Sequence, residues 1–456
     1  MMKNNVILAH CGPWAKSQFE LIAKGLDPDA KLVMAGMDDA CDDVGLKPCL
    51  IDAVADGERT ENEFGDPRFE EEILRCRFLR NIPRKQAGLY LSVMDRVWDD
   101  VLREVQPAIV ISEMVDSFVN AGLERACVRH QIVFMGLVTC FVDGYFRVTR
   151  YGEHVRYRSP TTDEIDRVTK MLLSKKYMPG FVSTPKHPEL MVLRRWLKNW
   201  ARVLYYGLLA LLPSNRVDLN VRANLIVARQ SLHILPRFRL GSPDWHERAR
   251  CRGLPIMILP LQLIPEATVD YWTTDVRRIK YDEVLLEVLD RLAGRFTFVV
   301  KEHPNVLGDR HPKLYRELER RSDVIFAATW TTPSELLEFC DGVLVWTGSM
   351  GFEAALRGKA VLALTPAYYM SGSRFLILED DASPALVEDF VVSTKACPIT
   401  DKEQREMVEY LLSGLIPGKI VFRNNFDSVR DKYTDPHVIG ENMRDVKCSL
   451  ANALSK

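Results

Sequence analysis

Gly342-Val343-Leu344-Val345-Trp346-Thr347-Gly348-Ser349-Met350-Gly351-Phe352-Glu353-Ala354-Ala355-Leu356-Arg357-Gly358-Lys359-Ala360-Val361-Leu362-Ala363-Leu364 reads as a strand over 342–346, a turn of small residues, a helix over 351–357 and a second strand over 360–364. A helix linking two continuous apolar strands is a crossover, so the strands run parallel and both faces of their sheet are covered. Upstream the pattern repeats. Strands are expected over 255–259, 296–301 and 324–326, with helices over 276–292, 312–321 and 334–339, the last opened by Pro333. The N-terminal half follows the same logic. Strands are read over 6–9, 31–35, 108–112 and 132–136, with helices over 17–24, 89–105 and 121–129 between them. The expected fold is α/β, two doubly wound Rossmann-like domains facing across a cleft. Pro160, Pro179, Pro185 and Pro188 mark a linker or inserted helical segment. The expected division is 1–158, an insertion over 159–240, a second domain over 241–400 and a helical tail over 401–456.

A chain of 456 residues with 47% hydrophobic content is long enough for two such cores. Its 61 basic and 62 acidic side chains leave a net charge of −1, which gives no general attraction to nucleic acid, and no nucleic-acid partner is expected. The 10 cysteines form no paired motif and no Cys/His cluster at zinc spacing, so reduced thiols and no metal are expected. Val6-Ile7-Leu8-Ala9 is shorter than a secretory core and no stretch of about 20 uncharged apolar residues occurs, so the expected location is cytoplasmic.

In open parallel sheets ligands sit beyond the carboxyl ends of the strands. One such position is Lys301-Glu302-His303-Pro304, where a cation closes a strand and an imidazole follows it, placed to donate to a phosphate or leaving-group oxygen. The other is Thr347-Gly348-Ser349 before the helix of Gly351 and Glu353. Glycines permit close backbone approach, the helix start offers N–H donors, the hydroxyls add more, and Glu353 can reach a ribose diol. Alone, each feature is more often structural; together, on one sheet, they favour a nucleotide site. Gly351 to Lys359 superficially resembles a P-loop, but the spacing is wrong and Ala360 replaces the hydroxyl residue, which excludes an ATPase of that type. Asp27-Pro28-Asp29 has a metal-ligand form yet lies in a polar turn, where such pairs are common.

These residues resemble a known family. Lys301-Glu302-His303-Pro304, then Thr347-Gly348-Ser349-Met350-Gly351-Phe352-Glu353-Ala354-Ala355, preceded by Pro260-Leu261-Gln262-Leu263-Ile264-Pro265-Glu266, are similar in content and order to elements of capsule polysaccharide synthesis proteins, over roughly 254–370. The resemblance implies a GT-B-like arrangement and a Kdo-transferase-like glycosyltransferase, with a CMP-linked nucleotide-sugar donor as substrate and no separate cofactor. It implies donor contacts from His303, Thr347 and Ser349, with Lys301, Glu302, Pro304, Gly348, Gly351, Glu353, Gln262 and Glu266 around them. Non-catalytic export components, an epimerase or a polyol-phosphate transferase on the same fold are the competing readings.

Glycosyl transfer also needs a carboxylate as base or nucleophile on the side of the anomeric carbon away from the phosphate. Glu113, directly after the 108–112 strand, is the first candidate, Asp116 and Asp143 the next, with His10 after the first strand as base or acceptor contact. A structural carboxylate at a helix start explains Glu113 equally well. The expected acceptor is a glycan or glycolipid. Over 191–212, Arg194, Arg195, Lys198 and Arg202 alternate with Trp196, Trp200, Tyr205 and Tyr206 before an apolar run. Two readings stand: a peripheral helix on the inner face of the cytoplasmic membrane, or a packed helix of the insertion with its cations reaching to solvent.

Overall fold

The computed structural model describes residues 5–12, 15–37, 43–46, 67–177, 188–212, 241–264, 266–303, 310, 312–328, 330–420 and 433–445, with a few single positions within 221–229 and after 445. The N-terminal sheet contains β1 (Val6–His10), β2 (Lys31–Gly36), β3 (Val44–Gly45), β4 (Ile109–Glu113), β5 (Val133–Thr139) and β6 (Tyr145–Thr149). The C-terminal sheet contains β7 (Ile256–Pro260), β8 (Thr297–Lys301), β9 (Val324–Phe326), β10 (Gly342–Val345), β11 (Ala360–Ala363) and β12 (Phe375–Ile377). β13 (Ile416–Pro417) completes the first sheet.

The second sheet runs β9-β8-β7-β10-β11-β12, all parallel, so its order reverses between β7 and β10, the Rossmann switch point. The first repeats that order over β3-β2-β1-β4-β5, then departs from it: β6 is antiparallel to β5, and β13 antiparallel to β6. The protein is thus α/β with two Rossmann-like sheets, as the continuous apolar strands imply. β8 is buried along its whole length because helices cover both faces.

Three local expectations need correction. The single helix read over 276–292 is a 3-10 turn, Val276–Ile279, followed by an α-helix, Tyr281–Arg291. Asp275 caps the turn through the Arg277 N–H, and Arg278 is tied to the Leu364 and Leu378 carbonyls and to Asp380, so the chain cannot continue as one helix across Lys280. β6 was missed, although Asp143-Gly144, with Gly144 at φ 82°, makes the tight turn that returns the chain antiparallel. The C-terminal residues do more than form a helical tail. Asp401–Ser413 is a helix with a Thr400/Glu403 capping box, but β13 then joins the first sheet and Pro436–Asp445 packs on Lys16–Leu26. That crossing is backbone to backbone: a Cβ on Gly440 would lie 2.1 Å from the Ile22 carbonyl oxygen.

The two domains share a core. Phe141 packs against Phe352, Tyr368 and Tyr369, and the Arg147 guanidinium lies 3.4 Å above the Tyr368 ring. On the other side Asp270, 3% exposed, pairs with Arg77 and Arg80 of the N-terminal domain, while Arg75 donates to its carbonyl at 2.9 Å. The insertion contributes the helices Thr162–Leu173, whose Thr161 cap accepts from the Glu164 N–H, and Pro188–Leu209.

Candidate functional site

Between the sheets lies a cavity of about 1450 Å³, and all three sequence elements meet at it. Lys301 ends β8 and His303 follows; Thr347, Gly348 and Ser349 follow β10; Gln262 and Glu266 follow β7. β7, β8 and β10 are adjacent, so residues from 262 to 349 in sequence open onto one space at the switch point. Pro304 lies outside the described residues.

The Lys301 side chain is 8% exposed, and burial pulls its amine down to about 8 against the opposing charge of Glu302. Glu302 is differently employed. Its carboxylate accepts from Arg310 Nε at 3.1 Å, Arg310 Nη2 at 3.0 Å, the Tyr315 hydroxyl and, at 2.7 Å, the His303 backbone N–H. Arg310 Nη2 also donates to the Gln262 carbonyl at 2.7 Å. One buried ion pair therefore fixes the backbone of both the His303 and Gln262 elements. Gln262 Nε2 donates to Glu266 Oε2 at 2.7 Å, and the Thr268 hydroxyl donates to the same oxygen at 2.6 Å, leaving Glu266 on the cavity wall.

Beside these, after β10, the Thr347 hydroxyl is buried with no protein partner. A Cβ placed on Gly348 would meet only Gln262 Oε1, at 3.7 Å, so a ligand can approach this backbone. Gly351 has another reason for its identity: a Cβ there would lie 2.6 Å from the Tyr369 hydroxyl, which donates to the Gly348 carbonyl. The cradle of free N–H groups expected at this helix is reduced. The N–H of Gly351 is bonded to the Gly348 carbonyl and that of Glu353 to the Ser349 carbonyl, so the side-chain hydroxyls carry more of any anion contact. Burial pushes the Glu353 carboxyl up to about 7, with Arg357 and a Ser349 hydrogen bond opposing.

The N-terminal candidates divide. Glu113 ends β4 but does not line the cavity; burial and the neighbouring Asp116 charge push it up to about 8, and its Oε1 has no partner. Asp116 is half-buried beside Arg77, its carboxyl raised by desolvation. His10 shares a hydrogen bond at 3.0 Å between Nδ1 and the Ala35 carbonyl, and packs edge-on to Trp98; burial lowers its basicity. Asp143 does face the cavity, paired with Lys419 at 2.9 Å. Arg147, His154, Trp330 and Tyr410 on the cavity wall were not singled out by sequence reasoning. The Asp143-Gly144 turn was the available signal for the first of these.

Among the described residues no group of three or more His, Cys, Asp or Glu is placed to hold a metal. Asp27 and Asp29 bond within their own turn, Asp29 N–H to Asp27 Oδ1 at 3.3 Å, with Lys447 near Asp27.

Residues 244–373 match the family described as capsule polysaccharide biosynthesis protein, and this segment holds all three site elements. The chain is similar to a Thermosulfurimonas dismutans KpsC beta Kdo 2,7 transferase at 11% identity, with a TM-score of 0.39 and coverage of 97% of this chain and 99% of that one. It is similar to a beta Kdo 2,4 transferase of KpsC from the same organism at 13% identity, TM-score 0.28, covering 67% and 88%. It is similar to a UDP-GlcNAc 2-epimerase from Neisseria meningitidis bound to UDP-GlcNAc at 12% identity, TM-score 0.26, covering 98% and 99%. No curated protein sequence matches the chain.

Proposed function

We propose that this protein is a glycosyltransferase of capsular or surface polysaccharide assembly that takes a nucleotide-linked sugar in the interdomain cavity. The observation that carries this reading is the convergence of Lys301 and His303, Thr347 and Ser349, and Gln262 and Glu266 on one cavity wall at the switch point of a Rossmann-ordered sheet. A cation, an imidazole and two hydroxyls suit a phosphate; the Glu266 carboxylate and the Glu353 carboxyl suit ribose hydroxyls. In the transfer, the bond from the anomeric carbon to the donor phosphate breaks and a bond to an acceptor hydroxyl oxygen forms. Negative charge collects on the departing phosphate beside Lys301 and His303, and the hydroxyl proton passes to a carboxylate. Asp143 is the candidate carboxylate on the N-terminal wall, where a glycan or glycolipid acceptor would enter. A CMP-linked donor is the form the family resemblance favours.

The test is thermal unfolding with CMP, CDP, UDP, GDP or ADP, comparing the protein with His303→Ala. A nucleotide at a hundred times its dissociation constant adds roughly 2.7 kcal/mol. Selective stabilisation by one nucleotide, lost in the variant, is expected. Equal stabilisation of both proteins removes His303 from the site, and no stabilisation by any nucleotide overturns the donor reading.

A further inference from the structure

Nine of the fifteen exposed large apolar side chains among the described residues fall within 190–212, on or just after one helix, Pro188–Leu209. That concentration separates the two readings of this segment left open by sequence. Leu193, Leu197, Trp200, Leu204, Leu208 and Leu211 are 45–74% exposed, whereas Asn199, on the opposite side, is 7% exposed. At 3.6 residues per turn the five of these within the helix fall within an arc of about 80°, and Leu211 follows in the closing turn. The helix thus turns a continuous apolar stripe outward, while the side toward the protein is mixed, with half-buried Trp196, Val203 and Tyr206 beside Asn199 and Arg202.

From Glu189 to Leu212 the segment carries Arg194, Arg195, Lys198 and Arg202 against a single acid. Arg194 and Lys198 are exposed beside the stripe, and the Arg202 guanidinium is anchored to Asn224 Oδ1 at 2.7 Å. A second copy of this chain laid against the stripe would bring the same positive charge to the same place. An anionic lipid surface brings the opposite charge, and Trp200 and Tyr205 are side chains that settle at a headgroup boundary. No helix among the described residues is long and apolar enough to cross a membrane, so the segment is suited to lie flat.

We propose that the outer face of Pro188–Leu209 and its closing turn docks this protein on an anionic bilayer surface, the helix lying in the interface with about 30 Å of length in contact. The inference is independent of the donor site: it would hold for a protein with no transferase activity, and it fails without affecting the cavity.

The full-length protein is floated with phosphatidylcholine vesicles and with vesicles in which about a third of the lipid is phosphatidylglycerol. At least tenfold greater binding to the anionic vesicles is expected, weakening as salt is raised. Leu204→Glu with Leu208→Glu should lower that binding at least tenfold with an unchanged unfolding midpoint, since both positions are solvent-exposed. Arg194→Glu with Lys198→Glu should lower it about fivefold or more for each charge. Absence of binding to the anionic vesicles, or equal binding by the leucine variant, overturns the proposal. So does a concentration-dependent dimer in light scattering that the leucine variant abolishes while vesicle binding is absent, because the face is then a contact between copies.

Discussion

The two sheets share a strand order over their first five strands and yet present different groups at their carboxyl edges. In the C-terminal sheet the residues after β7, β8 and β10 open onto the cavity, and a buried Thr347 hydroxyl there has no protein partner. In the N-terminal sheet Met114 after β4 and Val138 and Thr139 of β5 reach the cavity, but the titratable candidates do not: His10 lies against Trp98 and the Ala35 carbonyl, and Glu113 and Asp116 are half-buried off its lining. The charged N-terminal groups at the cavity come from its helices, Glu71, Glu72, Arg75 and Arg125, and from the added antiparallel strand, β6, and its flanks, with Asp143, Arg147, Glu153 and His154. A switch point marks where a ligand can bind; whether one does depends on what the rest of the chain lays over it.

The largest effect expected on the open edge comes from its frame. Glu302 and Arg310 are 6% and 4% exposed, and Glu302→Ala leaves a buried guanidinium without its partner. The cost should be about 3–5 kcal/mol, measured by urea unfolding. A cost under about 1 kcal/mol would mean the pair does not hold the His303 and Gln262 elements in place.

How much of this was legible follows from the residues themselves. Continuous β-branched runs such as Ala108-Ile109-Val110-Ile111 announce parallel strands, because a strand covered on both faces needs no polar alternation. β6 does not announce itself: Arg147 and Thr149 are 3% and 0% exposed, and a buried arginine looks in sequence like a surface one. Its partner β13 is two residues long, includes Pro417 and arrives from about 270 residues away, so no local pattern points to the pairing. The same limit explains the site. Lys301, His303 and Thr347 were found because strand-end position is a local property. The surroundings of His10 and Asp116 were not, because Trp98, Ala35 and Arg77 come from other elements.

A smaller effect distinguishes the edges by pH. Burial pulls the Lys301 amine down to about 8, and only the protonated form attracts a phosphate. Under the proposed function, nucleotide affinity should therefore be fully present below that value and be lost as pH rises through it, by up to tenfold per unit. Titration calorimetry between pH 6.5 and 9.5 should show this fall, and Lys301→Met should flatten it while weakening binding throughout. A pH-independent affinity in the unaltered protein would place the phosphate away from β8.

The smallest effect belongs to the N-terminal edge. With its carboxyl raised to about 8, Glu113 is largely protonated at pH 7, and glutamine reproduces its shape and neutrality. Glu113→Gln should therefore leave transfer at pH 7 within about twofold, whereas Asp143→Asn, which alters a cavity-lining carboxylate in a partly exposed ion pair, should lower it by about a hundredfold or more with little change in stability. Burial also makes Glu113 a source of pH-dependent stability. Its folded value lies above the ordinary carboxyl value, so the folded chain holds a proton that the unfolded chain releases, and stability falls as pH rises between those values. Glutamine should remove that part of the slope. The reverse pattern of rates, with Glu113→Gln inactive and Asp143→Asn unaffected, would require the N-terminal edge to open during turnover, and the contrast between the two sheets would then describe only a resting state.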